Sequence, residues 1–199
     1  MAIRGINQWK SELNIKMNII QKDNPTLRNV AKDVSIAEIA TPNIQGIIEN
    51  MKEALHGEDD GVAIAAPQID VSLRIFVVSG KVPKLIELQE KKETEIDLTK
   101  IKETMSDEVF INPKIIKSSK GKVVMEEGCL SVRWLYGKVR RSKQITIEAW
   151  NEKGELIKRG ASGLMAQIFQ HEIDHLNGIL FIDTATEIEE YEPPQKKSE

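Results

Sequence analysis

The chain has 199 residues, of which 40% are hydrophobic and 30% charged, and its formal net charge is −3. This balance fits one globular domain with a real core and argues against a nucleic-acid partner, which a basic footprint would indicate. No apolar run is long enough for a membrane span, and the first twenty residues lack the apolar core of a signal peptide. A single cysteine excludes an internal disulfide, so a reducing, cytoplasmic setting is expected.

The first strong element in chain order is a helix. Thr41 is a candidate N-cap, Pro42 suits the first helical position, and apolar side chains keep helical spacing to about His56. His56 is expected at the exposed end of this helix and not as a ligand. Alternating or apolar runs then predict strands, namely Leu73–Ser79, Val109–Ile111 and Gln144–Trp150, with a hairpin over 144–159.

Between these elements lies a small-residue segment, GVAIAAPQ, at residues 61–68. Its small side chains would let another backbone approach closely, and the amide of Gln68 could donate to an oxyanion. Taken alone, the segment is better interpreted as a tight core strand that ends in a turn.

Two stretches carry weaker signals. Residues 80–108 are charge-rich and are predicted to be an inserted surface loop, helical in part around Leu85–Glu95. A solvated face is the favoured interpretation of this insertion, and contact with a partner is the alternative. After Asp183 the chain is acidic, and a short flexible tail is predicted over about 185–199.

The most informative motif is QHEIDHL at residues 170–176, since it holds two of the three histidines. His171 and His175 are four residues apart, so on a helix they lie on one face and can bind one metal ion. Glu172 would then sit beside the metal and could move the proton of a bound water. The alternative is a pair of hydrogen-bonded core histidines.

The flanking residues predict that this motif lies on a buried helix. Ser162 is a candidate N-cap and Gly178 a candidate C-terminal stop, with apolar stripes between them. Strands followed by a late helix indicate the α+β class.

Catalytic metal sites usually hold three protein ligands, so a third is needed. Cys129, the one cysteine, alone would be better interpreted as a small buried hydrophobic residue. Beside the two histidines it becomes the candidate third ligand, because thiolate and imidazole together suit zinc or iron(II). Gly128, which precedes it, would allow close backbone approach.

These segments together resemble the peptide deformylase family. The family pattern is G-x-G-x-A-A-x-Q, then E-G-C-L-S, then Q-H-E-x-D-H-x-x-G, and this chain has GVAIAAPQ at 61–68, EGCLS at 127–131 and QHEIDHLNG at 170–178. Ala63 stands where the family usually has glycine, and the bulky run 133–136 also departs from the pattern. The resemblance covers residues 17–184, which leaves about 1–16 as an extra N-terminal arm on a single domain.

The resemblance implies a fold of small antiparallel or mixed sheets around a buried C-terminal helix, and a hydrolase that removes the formyl group from N-terminal formyl-methionine. It implies that Cys129, His171 and His175 hold iron(II), with zinc, nickel or cobalt as substitutes. Glu172 would be the general base and acid, and Gln68 with the backbone N–H of Leu130 would form the oxyanion site.

The implied partner is an N-formyl-methionyl peptide, with transient contact to the ribosome. The tail does not look like the longer basic helix with which some deformylases dock there. A peptide could lie extended along residues 61–65. Candidate substrate contacts are Gly61, Val62, Ala63, Met125, Gly128, Leu164 and Ile168, with Trp134 and Tyr136 beyond the methionine pocket. Ordinary core packing is an equal alternative for Val62, Met125, Leu164 and Ile168, and surface packing for Trp134 and Tyr136. Arg140 or Arg141 is expected to pair with Asp174 or Glu127, with the choice left open.

The sequence leaves three rival functions open. One is a metallopeptidase that cleaves internal peptide bonds, and another is a non-catalytic metal-binding module. The third is a deformylase-like protein with an altered substrate, which the departures at Ala63 and Trp134 would explain.

Overall fold

The computed structural model describes residues 18–91, 101 and 105–192. Within these ranges the helices are α1 (Pro42–His56), α2 (Val82–Glu90) and α3 (Gly163–Leu176). The strands are β1 (Ala63–Ala65), β2 (Ile75–Val78), β3 (Glu108–Ser118), β4 (Lys122–Cys129), β5 (Val132–Ser142), β6 (Gln144–Trp150), β7 (Leu156–Ser162) and β8 (Thr186–Glu190). Four short 3-10 helices lie at Pro25–Arg28, Ile36–Glu38, Ala66–Ile69 and Phe181–Asp183.

The strands form two sheets in which every pair of neighbours is antiparallel. The larger sheet has the order β1-β2-β3-β6-β7, and the smaller has the order β4-β5-β8. Two antiparallel sheets with a late helix confirm the α+β class. β1 lies at the edge of the larger sheet, so one side of this strand has no strand neighbour within the sheet.

The larger sheet is covered on both faces. Phe76 of β2 and Phe110 of β3 face α3, where they stack with ring centroids 4.7 Å apart, and Phe169 of α3 meets Phe110 edge-on at 4.9 Å. Ile75 and Val77 of β2 belong to a second core cluster with α1. Because both faces of β2 are buried, its sequence is a continuous apolar run and not an alternation.

Helix α1 has the predicted bounds. The Thr41 hydroxyl accepts a hydrogen bond from the Ile44 backbone N–H at 3.5 Å, and Pro42 occupies the first turn, where a missing N–H costs nothing. His56 is the last helical residue, 43% exposed, and it pairs with Asp107 at 2.9 Å. The expected place of His56 at the end of the helix is confirmed.

The charge-rich insertion is helical in part, as expected, but its helix α2 begins earlier, at Val82. Val82 and Leu85 are buried, at 0% and 7% exposure. This part of the insertion therefore packs against the domain. Residues 92–100 and 102–104 of the insertion lie outside the described residues, as does the N-terminal arm at 1–16.

Part of the expected flexible tail is ordered, while residues 193–199 lie outside the described residues. Residues 186–190 form β8, which pairs with β5 through Leu135 and Glu190, Tyr136 and Glu189, and Lys138 and Thr186. All five residues of β8 are exposed, and its sequence, TEIEE, has no apolar alternation that would mark a strand.

Among the described residues, no helix has the length and apolar character needed to cross a membrane.

Candidate metal centre and cavity

Three predicted ligands converge between the two sheets. Cys129 is the last residue of β4, and His171 and His175 lie one turn apart on α3. Their possible ligand atoms all lie within 4.8 Å of one another, and Cys129 Sγ is 3.2 Å from His175 Nε2. The two imidazole rings are 5.0 Å apart. The fold therefore brings one thiol and two imidazoles to a single point.

Helix α3 starts and stops where the sequence indicates. Ser162 is the N-cap residue, although its side chain makes no capping hydrogen bond, and the helix ends at Leu176. Gly178 has φ +74°, a left-handed conformation that favours glycine. A Cβ at Gly178 would also lie 2.5 Å from the carbonyl oxygen of Arg28, so no larger residue fits there.

A buried ionic network contacts the Nδ1 side of His171. Its Nδ1 donates to Glu127 Oε2 at 2.9 Å, and Arg141 donates to both carboxylate oxygens of Glu127, at 2.7 and 2.9 Å. Arg141 also reaches Asp174 Oδ2 at 2.5 Å. Of the two candidate arginines, Arg141 is therefore the one that pairs, and it pairs with both Glu127 and Asp174. Arg140 is exposed.

This network sets the state of the first histidine ligand. Burial opposes ionisation of Glu127, but hydrogen bonds from Arg141 and His171, together with their charges, lower its pKa to about 2. An ionised Glu127 holds the proton on His171 Nδ1, so the lone pair of Nε2 is available to a metal. Burial, and then the charge of His171, lowers the pKa of His175 well below its ordinary value, which keeps that ligand neutral.

The surroundings of Cys129, His171 and His175 suit a bound metal ion. Burial disfavours charge on His171, yet its hydrogen bonds to Cys129 and Glu127 raise its pKa well above the ordinary value. Its surroundings therefore favour a positive charge, which a metal ion on Nε2 would supply in place of a proton. Glu172 Oε2 is buried beside the ligands and has no hydrogen-bond partner among the described residues. Orphan buried polar atoms are rare, and a carboxylate oxygen without a protein partner there suits a group that would take a proton from a water molecule.

Glu172 is buried beside the ligands at 4% exposure. Burial and the charge of Glu127 raise the pKa of Glu172 to about 7, against the opposing effect of His171. A carboxyl group with a pKa near neutrality can both accept and return a proton at working pH.

Gln68 is oriented by its own turn. Its Oε1 accepts from the Ala65 backbone N–H at 2.8 Å, so its Nε2 points the other way and donates to Ser131 Oγ at 3.2 Å. The same Nε2 lies 3.6 Å from Cys129 Sγ. Gln68 is 1% exposed, and its amide is therefore a fixed donor next to the metal ligands.

A cavity of about 290 Å³ opens onto these groups. Most of the predicted site residues line it: Val62, Ala63, Gln68, Gly128, Cys129, Leu130, Trp134, Tyr136, Leu164, Ile168, His171 and Glu172. His175 lies behind them at 1% exposure.

Two predicted substrate contacts are placed elsewhere. The lining along β4 begins at Glu126, so Met125 falls just outside the cavity wall, where it pairs with Val139. Gly61 does not line the cavity either. A Cβ on Gly61 would lie 2.9 Å from Leu55 Cδ1, so the glycine lets the chain pass close to the end of α1.

Seven lining residues were not predicted: Asp60, Leu85, Glu126, Glu127, Arg133, Leu135 and Gln167. Glu126 and Glu127 flank or belong to the EGCLS segment, and Arg133 and Leu135 belong to the run 133–136 that departs from the family pattern, so these segments were the available signal. No sequence signal marked Leu85, because it reaches the cavity only through the packing of α2. Gln167 Nε2 donates to the Glu126 carbonyl at 2.7 Å and thereby joins α3 to β4.

Comparison with known proteins agrees with this geometry. The family model described as Polypeptide deformylase matches residues 16–191. The chain is 43% identical over 167 residues to a peptide deformylase of Halothermothrix orenii, covering 83% of this chain and 91% of that protein. It is 42% identical over 171 residues to a peptide deformylase of Carboxydothermus hydrogenoformans, covering 85% and 93%.

Solved structures are similar as well. A Met-Ala-Ser-bound class I type b peptide deformylase from Acinetobacter baumannii superposes with a TM-score of 0.71 at 29% identity, over 86% of this chain and 99% of that one. An actinonin complex of a peptide deformylase from Synechococcus elongatus gives a TM-score of 0.70 at 29% identity, over 86% and 81%.

Proposed function

The chain belongs to the peptide deformylase family, and on that premise we propose how its residues carry out the reaction. Its activity is the metal-dependent hydrolysis of the formyl group from N-formylmethionyl peptides, which releases formate. The observation that carries the proposal is the convergence of Cys129, His171 and His175 within 4.8 Å, next to the buried Glu172.

We propose iron(II) as the native metal, with zinc, nickel or cobalt as substitutes. The mixed set of one thiolate and two imidazoles supports this choice, because it suits borderline-soft divalent ions. When bound, the metal would supply a Lewis acid that lowers the pKa of the attacking water.

Glu172 is the proton carrier in this proposal. In its ionised form it accepts a proton from the attacking water, and in its neutral form it returns that proton to the amine nitrogen that leaves. Its burial supports this role, because a pKa of about 7 makes both forms accessible near neutral pH.

Negative charge develops on the formyl oxygen as the carbon becomes tetrahedral. We assign Gln68 Nε2 and the backbone N–H of Leu130 as the donors that stabilise this charge. Both residues line the cavity, and the orientation of the Gln68 amide is set by the Ala65 N–H before any substrate binds.

Substrate binding follows from the position of β1. A peptide can lie beside the free edge of this strand, with the methionine side chain against Val62, Leu164 and Ile168. Ala63 is compatible with such an extended pairing, because alanine adopts strand geometry without strain. Gly128, Trp134 and Tyr136 would contact the peptide further along.

The reaction is tested by formate release from formyl-Met-Ala-Ser with protein that is loaded with iron(II) under anaerobic conditions. We expect release with one metal ion per chain, loss on chelation, and slow loss in air that zinc- or nickel-loaded protein does not show. Met-Ala-Ser carrying an acetyl group in place of formyl is the matched control. Cleavage of an unformylated peptide at an internal bond would instead support the metallopeptidase alternative.

Gln68→Ala is expected to lower kcat by about 10²–10³, the usual cost of removing one oxyanion donor. Gln68→Glu retains the acceptor for the Ala65 N–H but replaces the donor with a second carboxylate oxygen, so it should lower kcat at least as much. Ser131→Ala removes the other partner of Nε2 and should change kcat little. Steady-state kinetics on formyl-Met-Ala-Ser measure all three, and near wild-type turnover by Gln68→Ala would contradict the assignment.

We place the reaction in the cytoplasm and expect only transient contact with the ribosome. The single cysteine supports the first statement, since it is suited to a reducing compartment. The second rests on the substrate, which is a newly made chain.

A further inference from the structure

One wall of the cavity is formed by the wall segment, residues 133–136, all of which line it. The segment is irregular: Cys129 pairs with Val132 but Gly128 pairs with Tyr136, so residues 133–135 bulge out of the ladder between β4 and β5. Trp134 at its centre has φ +67°, a left-handed conformation that costs a bulky residue energy. Such a bulge keeps its shape only if contacts from elsewhere hold it.

The first such contact is ionic. Arg133 donates to Asp60 Oδ2 at 2.7 Å and to Glu58 Oε2 at 2.5 Å, and its guanidinium lies 5.8 Å from the Trp134 ring centre. Arg133 and Glu58 are only about one-fifth exposed, so solvent screens this pair less than a fully exposed one. Asp60 precedes β1 and also lines the cavity, so the ion pair joins the wall segment to the chain that leads into β1.

The second contact comes from the chain after β8. The Tyr191 backbone N–H donates to the Trp134 carbonyl at 2.8 Å. The Tyr191 ring meets the Tyr136 ring edge-on at 5.2 Å. Tyr136 in turn lies against Gly128, where a Cβ would come within 2.7 Å of its ring, and Gly128 directly precedes the ligand Cys129.

The exposure of these residues locates the wall segment within the cavity. Its four side chains are half-buried, whereas Ile168 and Glu172 are buried at 5% and 4% exposure. The wall segment therefore lies at the mouth and the apolar and catalytic groups lie at the base. A peptide whose first residue occupies the base passes the wall segment with its following residues.

We propose that Arg133 and Tyr191 are positioning residues, which hold the wall segment in the shape that binds the peptide beyond formyl-methionine. The proposal rests on the function assigned above. It makes Tyr191, which follows β8 and does not line the cavity, part of substrate recognition.

The test compares one long and one short substrate. Arg133→Gln removes the charge that pairs with Asp60 and Glu58, and Tyr191→Pro removes the N–H that donates to the Trp134 carbonyl. Each variant should lower kcat/KM on formyl-Met-Ala-Ser about tenfold, mainly through KM. On formyl-methionine amide, which ends before the wall segment, the same variants should stay within about twofold of wild type. Tyr191→Ala retains the N–H and removes the ring, so it separates the two contacts. Arg159→Gln breaks the Arg159–Glu108 pair instead and should change neither substrate.

Equal losses on both substrates, or none on either, would overturn the positioning role. Calorimetric binding of the product Met-Ala-Ser compared with methionine gives a second measurement that needs no turnover, and only the tripeptide should bind more weakly to the variants. Trp134→Gly removes the indole while tolerating the left-handed backbone, and it should reproduce the tripeptide-specific loss. Failure of the wild-type protein to release formate from either substrate would count against the assigned function, while the binding ratio would still decide the positioning role.

Discussion

A Glu172→Gln variant is expected to lose kcat by about 10²–10⁴ while it still binds one metal ion per chain. Glutamine has the same shape but cannot accept a proton. Glu172 Oε2 has no hydrogen-bond partner among the described residues, so the substitution breaks no contact that this oxygen makes with the protein. Formate release and metal content, measured on the same preparation, give both quantities.

The control for this prediction is Glu148→Gln, which changes a carboxyl group of β6 away from the cavity and should leave kcat unchanged. Loss of metal together with activity in Glu172→Gln would make Glu172 a ligand and not a proton carrier. Wild-type turnover in the variant would favour the non-catalytic metal-binding alternative.

The pH profile follows from the same group. Glu172 must be ionised to accept the water proton, and burial raises its pKa to about 7, so kcat/KM should rise with pH across an acid limb. A bound cation favours the carboxylate, which moves this limb to or below pH 7. The residual activity of Glu172→Gln should lack the limb, and a limb retained in the variant would assign it to another group.

The chemical centre was predictable from the sequence because its residues lie in short, contiguous patterns. The spacing of His171 and His175 fixes their common face on any helix, and the apolar residues between Ser162 and Gly178 predict that helix. Helix α1 and strand β6 were predicted with their observed bounds for the same reason: cap residues or strict alternation mark them locally.

The walls of the cavity were less predictable, because tertiary packing decides them. Leu85 reaches the cavity through α2, whose charged surface suggested a solvated loop. β8 has five exposed residues and owes its strand conformation to pairing with β5. Met125 was a candidate contact for the methionine side chain, but the lining along β4 begins one residue later.

Replacing Arg141 with leucine should destabilise the fold by about 3–5 kcal/mol, because it leaves the carboxylate of Glu127 buried without its partner. Arg141 and Glu127 are only 8% and 3% exposed, so water cannot compensate. The double variant Glu127→Leu/Arg141→Leu removes both charges and should recover most of this loss. Urea unfolding of the three proteins measures the difference.

Metal affinity should follow a different pattern from stability. Glu127 orients His171, so the double variant is expected to bind metal about 10–100-fold more weakly even where its stability is restored. Chelator competition measures this, and unchanged affinity would show that the network serves the fold alone.

The network also predicts an acid limit on stability. The pKa of Glu127 is lowered to about 2 in the folded protein from an ordinary value of 4.5. Its contribution is therefore complete above pH 4.5 and is lost as the pH falls toward 2. The double variant, which has no carboxyl group at residue 127, should lose less stability across this window, and an equal loss would place the acid sensitivity at other carboxylates. Because the same carboxylate also sets the tautomer of His171, protonating Glu127 should weaken metal binding in the pH window in which it weakens the fold.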